Sequence, residues 1–163
     1  MIKLLLSDVD GVMTDGSVAY DANGVETKTF NIRDGLGIKL WQRTGFEFGI
    51  VTGRDSAIVA QRSAELGIGI VVQGAGVKMP VVERIAGEQG VTLDEIAYVG
   101  DDLPDLPVIR AVGCGAAVAD AAAEVKAGAD IVLETPGGRG AVREFIEKLL
   151  REAGKWDALI KTF

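Results

Sequence analysis

The sequence has 163 residues, 48% of them hydrophobic, with 17 Lys and Arg against 24 Asp and Glu for a formal net charge of −7. That acidic balance excludes a general nucleic-acid binder, whose affinity comes mainly from neutralising phosphates with Lys and Arg. Histidine is absent, which excludes histidine triads, phosphohistidine chemistry and histidine-dependent zinc sites and leaves acid–base work to carboxylates, Lys, Tyr or Cys. The lone cysteine, Cys114, cannot form an internal disulfide and fits a reducing compartment. The cytoplasm is therefore the expected location, because the apolar run Ile2–Leu6 has no basic flank before it and is far too short to span a bilayer.

In chain order, Ile2–Leu6 reads as a first buried strand. Ser17–Asn31 reads as a hairpin, with its turn at Asn23-Gly24. A helix over 35–44, a strand over 46–51, a helix over 56–66 and a short strand over 70–72 follow. Then come a helix over 78–89, a strand over 96–99, a helix over 103–112, a strand at 131–132 and a last helix over 140–153. Strands alternating with helices at this spacing predict an α/β fold with a central parallel sheet and helices on both faces. No linker, repeat or low-complexity segment divides the chain, so residues 1–163 are expected to form one domain. The tail, about 151–163, carries Trp156, Leu159, Ile160 and Phe163 and is expected to pack on something.

Ligands of such sheets lie beyond the carboxyl ends of the strands, and the conspicuous residues fall there. Asp8-Val9-Asp10-Gly11 places two carboxylates after the first strand, where Gly11 permits a turn. Such a pair can bind a cation and divide nucleophilic and proton-transfer work. Gly100-Asp101-Asp102-Leu103-Pro104-Asp105 crowds three more carboxylates after another strand. A hard cation such as Mg²⁺ would relieve their repulsion, and Asp101 is the strongest candidate for a direct ligand. Thr52, Gly53 and Arg54 form a strand-to-helix turn suited to an anion. Lys78 opens a helix against its macrodipole and so calls for an anionic neighbour. Polar turns, helix caps and solvated side chains explain each feature separately. Their coincidence at four strand ends does not have so ordinary an explanation.

The order Asp-x-Asp-Gly-Val, Thr-Gly-Arg, Lys and Gly-Asp-Asp-x-x-Asp resembles the haloacid dehalogenase superfamily of phosphohydrolases. Asp8–Gly16, Phe30–Gly35, Gln73-Gly74 with Lys78, Tyr98–Leu103 and Gly137–Glu144 are together similar to the 3-deoxy-D-manno-octulosonate 8-phosphate (KDO 8-phosphate) phosphatase family. The resemblance implies a Rossmann-like three-layer sandwich and a Mg²⁺-dependent phosphatase acting on a small sugar phosphate, assembled as a homotetramer in which hairpins or tails complete neighbouring sites. It implies that the hairpin is all that remains of a cap. Asp8 would be the nucleophile and Asp10 the general acid and base. Thr52, Gly53 and Lys78 would hold phosphate, and Asp8, Asp10, Asp101 and, through water, Asp105 would hold the metal. Arg54, Arg62 and Arg139 would face the substrate, and arginine at position 54 favours an eight-carbon over a nine-carbon keto sugar. For Arg139 a flexible lead-in to the last helix is an equal alternative. The roles of Arg33, Asp34, Asp102 and Arg143 stay open. A non-catalytic tetramerising module is the rival of another class, opposed by the presence of Asp8, Asp10, Thr52, Lys78 and Asp101 together. A receiver domain is excluded by residue order.

Overall fold

The computed structural model describes residues 1–163. Eight strands form, β1 (Leu4–Ser7), β2 (Ala19–Tyr20), β3 (Glu26–Thr27), β4 (Glu47–Val51), β5 (Ile70–Val72), β6 (Ile96–Gly100), β7 (Cys114–Ala117) and β8 (Ile131–Val132). Seven helices accompany them, α1 (Ile32–Arg43), α2 (Ala57–Leu66), α3 (Lys78–Gln89), α4 (Leu106–Ile109), α5 (Ala123–Gly128), α6 (Ala141–Glu152) and α7 (Trp156–Ile160). The main sheet is six-stranded in the order β5-β4-β1-β6-β7-β8, parallel throughout. β1 lies inside it, with Leu4–Leu6 at no more than 1% exposure, as a strand covered on both faces requires. One group of helices, α1 with α2 and α6, and a second group, α3 with α4 and α5, make the outer layers. The expected Rossmann-like sandwich is therefore present.

The hairpin is present as a separate two-stranded sheet pairing Ala19 with Thr27 and Tyr20 with Glu26. Its turn uses Gly24 at a φ of 78°, a left-handed conformation that glycine adopts without a Cβ clash. Other elements differ from expectation. β7 is an additional strand, read over because Cys-Gly-Ala-Ala has no branched or aromatic signal. Gly115 is small there for a reason: a Cβ would stand 2.2 Å from the Ile109 carbonyl oxygen. The helix expected over 103–112 breaks into a 3₁₀ turn at Leu103–Asp105 and the short α4. Of the tail, Trp156 is buried, whereas Phe163 is 78% exposed.

Asp34 joins the two ends of the chain. It lies in the first turn of α1, is 2% exposed, and its Oδ1 accepts the Arg143 N–H at 2.8 Å. Thus it caps α6, whose own N-cap residue, Gly140, makes no side-chain cap bond. Its Oδ2 is buried without a partner, and burial pushes the carboxyl up from 3.8 to about 6. A carboxyl raised in the folded state gives stability that is full below its ordinary range and is lost as pH climbs through about 6. The loss amounts to about 3 kcal/mol. Asp34→Asn keeps the acceptor and removes the charge. Unfolding at pH 7 should therefore become more costly by about 1–3 kcal/mol, with a flatter stability profile between about pH 4 and 6. Chemical denaturation across that range is the check, and an unaltered slope would contradict the assignment.

Candidate active site

The ends of β1, β4 and β6 converge on one cleft of about 460 Å³ with a single hydrophobic residue in its lining. Asp8 leaves β1 with its N–H donated to the Val99 carbonyl of β6 at 3.1 Å. The chain then folds back, the N–H groups of Val12, Met13 and Thr14 all donating to the Val9 carbonyl, and Gly11 makes the bend at a φ of 88°. A strap from the segment before α6 lies against this loop. Gly138 N–H donates to the Val12 carbonyl at 2.9 Å, and a Cβ on Gly137 would stand 1.9 Å from the Gly11 carbonyl oxygen. The loop that Asp8 opens is thus fixed from both sides by backbone.

Lys78 opens α3, 4% exposed, and lies 2.8 Å from Asp8 Oδ2 and 2.6 Å from Asp105 Oδ1. Burial works against its charge, but the two carboxylates outweigh burial and raise its pKa. The anionic neighbour that its place at a helix start called for is therefore Asp8 together with Asp105. Carboxylate oxygens of Asp8, Asp101 and Asp105 all lie within 4.8 Å of one another. Burial, then the charge of Asp105, pushes Asp8 up to about 6, with Lys78 opposing. Burial, then Asp8 and Asp105, pushes Asp101 up to about 7. Acids held this close and this dry suit a divalent cation, and all-oxygen donors suit a hard one.

Asp105, which the resemblance places at the metal through water, is also held by several protein donors. Its Oδ1 accepts from Lys78 and, at 2.5 Å, from the buried Tyr98 hydroxyl; its Oδ2 accepts the N–H groups of Asp101 at 3.0 Å and Asp102 at 3.2 Å. These four donors let Asp105 aim Lys78 and shape the Asp101 turn while it stays within the acidic trio. Gly100 admits that arrangement, since a Cβ there would come within 2.4 Å of Asp105. Asp102 caps the 3₁₀ turn by accepting the Leu103 N–H at 2.8 Å.

Asp10 stands apart from the acidic trio, its Oδ1 bonded to Lys28 of the hairpin and its Oδ2 3.9 Å from Arg54 Nη1. Thr52, 1% exposed, Gly53 and Arg54 line the cleft as expected. Arg54 is held by Glu26 at 2.7 Å and by the Tyr20 hydroxyl at 3.3 Å. Arg62 and Arg139 are not brought into the cleft of this chain. Arg62 sits beside Glu65 at 3.1 Å and 5.9 Å from the centre of the Phe30 ring. Arg139 borders a separate concavity with Arg33 and Arg143. Residues 20, 26, 28 and 56 reach the site with no signal in the sequence: Lys28 contacts Asp10, and Glu26 contacts Lys28, Arg54 and Ser56.

Residues 71–146 match the family model of haloacid dehalogenase-like hydrolases, the class that this cleft and sheet define. The 3-deoxy-D-manno-octulosonate 8-phosphate phosphatase of Haemophilus influenzae is 45% identical over 154 residues, covering 94% of this chain and 86% of that protein. The phosphatase of the same name from Moraxella catarrhalis, solved with magnesium, phosphate and KDO, superimposes with a TM-score of 0.98 at 41% identity, over 99% of this chain and 93% of that one. The cobalt-bound Haemophilus influenzae enzyme does so with a TM-score of 0.92 at 44% identity, over 95% and 91% of the two chains. The chain belongs to the 3-deoxy-D-manno-octulosonate 8-phosphate phosphatase family of haloacid dehalogenase-like hydrolases. No helix is long and apolar enough to cross a membrane.

Proposed function

We propose that this chain hydrolyses 3-deoxy-D-manno-octulosonate 8-phosphate to KDO and phosphate, with Mg²⁺, through a phosphoryl group carried on Asp8. The observation that carries the reading is Asp8 clamped by Lys78 at 2.8 Å and faced by Asp101 in a polar cleft at the strand ends. Asp8 and Asp101, with the Asp10 carbonyl, would hold the metal. Bound there, Mg²⁺ supplies positive charge to the phosphoryl oxygens and to Asp8. The Asp8 carboxylate attacks phosphorus in line and displaces the sugar oxygen. Asp10 protonates that oxygen, then accepts a proton from the water that cleaves the aspartyl phosphate. The Thr52 hydroxyl and the Gly53 N–H hold equatorial oxygens, and Lys78 offsets the charge gathering on them.

Family membership supports an assembled homotetramer working in the cytoplasm. Arg62 and Arg139 border other concavities and not their own cleft, which suits contributions to a neighbour's site. Val18, Tyr20, Val25 and Ile32 are all more than half exposed, an apolar surface on and beside the hairpin that suits burial between copies.

Phosphate release from a panel of sugar phosphates, with Mg²⁺ and with EDTA, tests the reading. The eight-carbon substrate should give the highest kcat/KM, and EDTA should abolish release. Preference for a nine-carbon keto sugar phosphate would overturn the substrate, and no release from any member would favour an interaction module. Asp10→Asn should lower kcat on the sugar phosphate by about 10²–10⁴-fold, the range for general acid–base catalysis. In kcat/KM, which reports the first transfer, the loss should be much smaller on an aryl phosphate, whose leaving group departs unprotonated. Its kcat should still fall with the slowed second transfer. Equal losses of kcat/KM on the two esters would remove Asp10 as the leaving-group acid.

A further inference from the structure

The hairpin delivers a lysine for which the reaction above has no task. The Lys28 side chain is 2% exposed. A side chain so covered needs polar partners in place of water, and Lys28 has two carboxylates, donating to Asp10 Oδ1 and standing 3.4 Å from Glu26 Oε1. Glu26 is in turn held by Arg54 at 2.7 Å and by the Ser56 hydroxyl at 2.9 Å. Lys28 is therefore braced between the hairpin and the N-cap of α2. The two oxygens of Asp10 are treated unequally. Oδ1 is taken by this covered lysine, whereas Oδ2 has only Arg54 at 3.9 Å, too far for a hydrogen bond, on a side chain 39% exposed at the cleft.

Resting on the phosphatase reading, we propose that Lys28 is a positioning residue for the hydrolysis, pinning Asp10 by Oδ1 so that Oδ2 is the oxygen that exchanges the proton. In the first transfer the Asp8–phosphorus bond forms, the bond from phosphorus to the sugar oxygen breaks, and that oxygen takes the proton from Oδ2. In the second, a water oxygen bonds to phosphorus, the Asp8–phosphorus bond breaks, and the water's proton passes to Oδ2. One group serves both steps, so its place relative to phosphorus must be held through the cycle. Asp10 precedes a glycine in the turn of the loop, and its side chain is 22% exposed; Lys28 is the contact that keeps it from turning to solvent. A hairpin with strands of two residues each is too small to enclose a substrate, and this ammonium is what it adds to the chemistry.

A double-mutant cycle with two esters tests the role. On the best sugar phosphate of the panel, Lys28→Met should lower kcat by about 10- to 100-fold while KM moves by less than about threefold. On 4-nitrophenyl phosphate, kcat/KM should fall by less than about threefold, since that leaving group needs no proton. In an Asp10→Asn background the same change should cost less than about twofold, because residues acting as a unit are not additive. Lys28→Arg should recover part of the sugar-phosphate rate. Multiplicative losses in the cycle, or equal losses on both esters, would overturn the proposal. Both esters are used so that a wrong sugar leaves the test intact, whereas a wild type inactive on both contradicts the phosphatase reading and this role together.

Discussion

Asp8→Asn should abolish turnover, lowering kcat by about 10⁴-fold or more, as loss of a covalent nucleophile does. The expectation follows from the position of one carboxylate. Asp8 Oδ1 accepts the Val9 N–H at 2.7 Å and Oδ2 faces Lys78 at 2.8 Å, so the side chain is fixed without rotation at the mouth of β1. An amide of the same shape fills the space but is a poor nucleophile. The fold should survive: Asp8 is buried and pushed up to about 6, so removing its charge relieves the crowding with Asp105 and Asp101. A folded, inactive Asp8→Asn separates chemistry from structure, with circular dichroism and phosphate release measured on one preparation. Activity within tenfold of wild type would eliminate Asp8 as the nucleophile.

Lys78→Met should damage both stability and rate. Its ammonium is the counter-charge to Asp8 and Asp105, at 2.8 and 2.6 Å, in a site where its own side chain is 3% exposed. Removing one partner from a buried ionic group leaves the other uncompensated, at a cost of about 3–5 kcal/mol. The cost should depend on pH in a stated direction. Carboxyls whose folded pKa lies above the ordinary range stabilise the protein below that range and cease to do so as pH rises through the folded value. Without Lys78 the upward push on Asp8 and Asp101, already at about 6 and about 7, grows. The variant should therefore be closest to wild type near about pH 4 and fall furthest behind it above about pH 7, when unfolding is followed without added divalent cation. The rate should fall by about 10²–10³-fold, as when one preorganised electrostatic donor is removed. A variant equally stable across that pH range would mean that Lys78 is not the counter-charge.

Much of this site was legible because a parallel α/β sheet collects its loops at one end. Asp8, Thr52, Lys78 and Asp101 each follow an apolar strand signal, or open the next helix, so the order of motifs along the chain already implied their meeting. Side-chain capacity was not legible. The role through water that the resemblance implies for Asp105 gave no sign of its four donors, from Lys78, Tyr98 and two backbone N–H groups, whose approach depends on the packing of three elements. Lys28 was hidden for a similar reason, since its partner lies 18 residues away across a loop and a hairpin. Arg62 and Arg139 show the converse. Their residue type suits a carboxylate or phosphate, yet α2 and the lead-in to α6 carry them outside the cleft of their own chain. β7 went unread because its close packing against the Ile109 carbonyl selects small residues, and these lack a strand signature.

The central claim is a phosphoryl group on Asp8. Rapid acid quench during turnover of the sugar phosphate with Mg²⁺, followed by peptide mass analysis, tests it most directly. The account predicts a phosphoryl mass on the peptide containing Asp8, localised to that residue, absent with EDTA and absent from Asp8→Asn. A longer-lived form should appear in Asp10→Asn when an aryl phosphate donor is used, because the water that clears it has lost its base. Steady turnover with no label on Asp8 at any quench time, in the wild type or in Asp10→Asn, would contradict it.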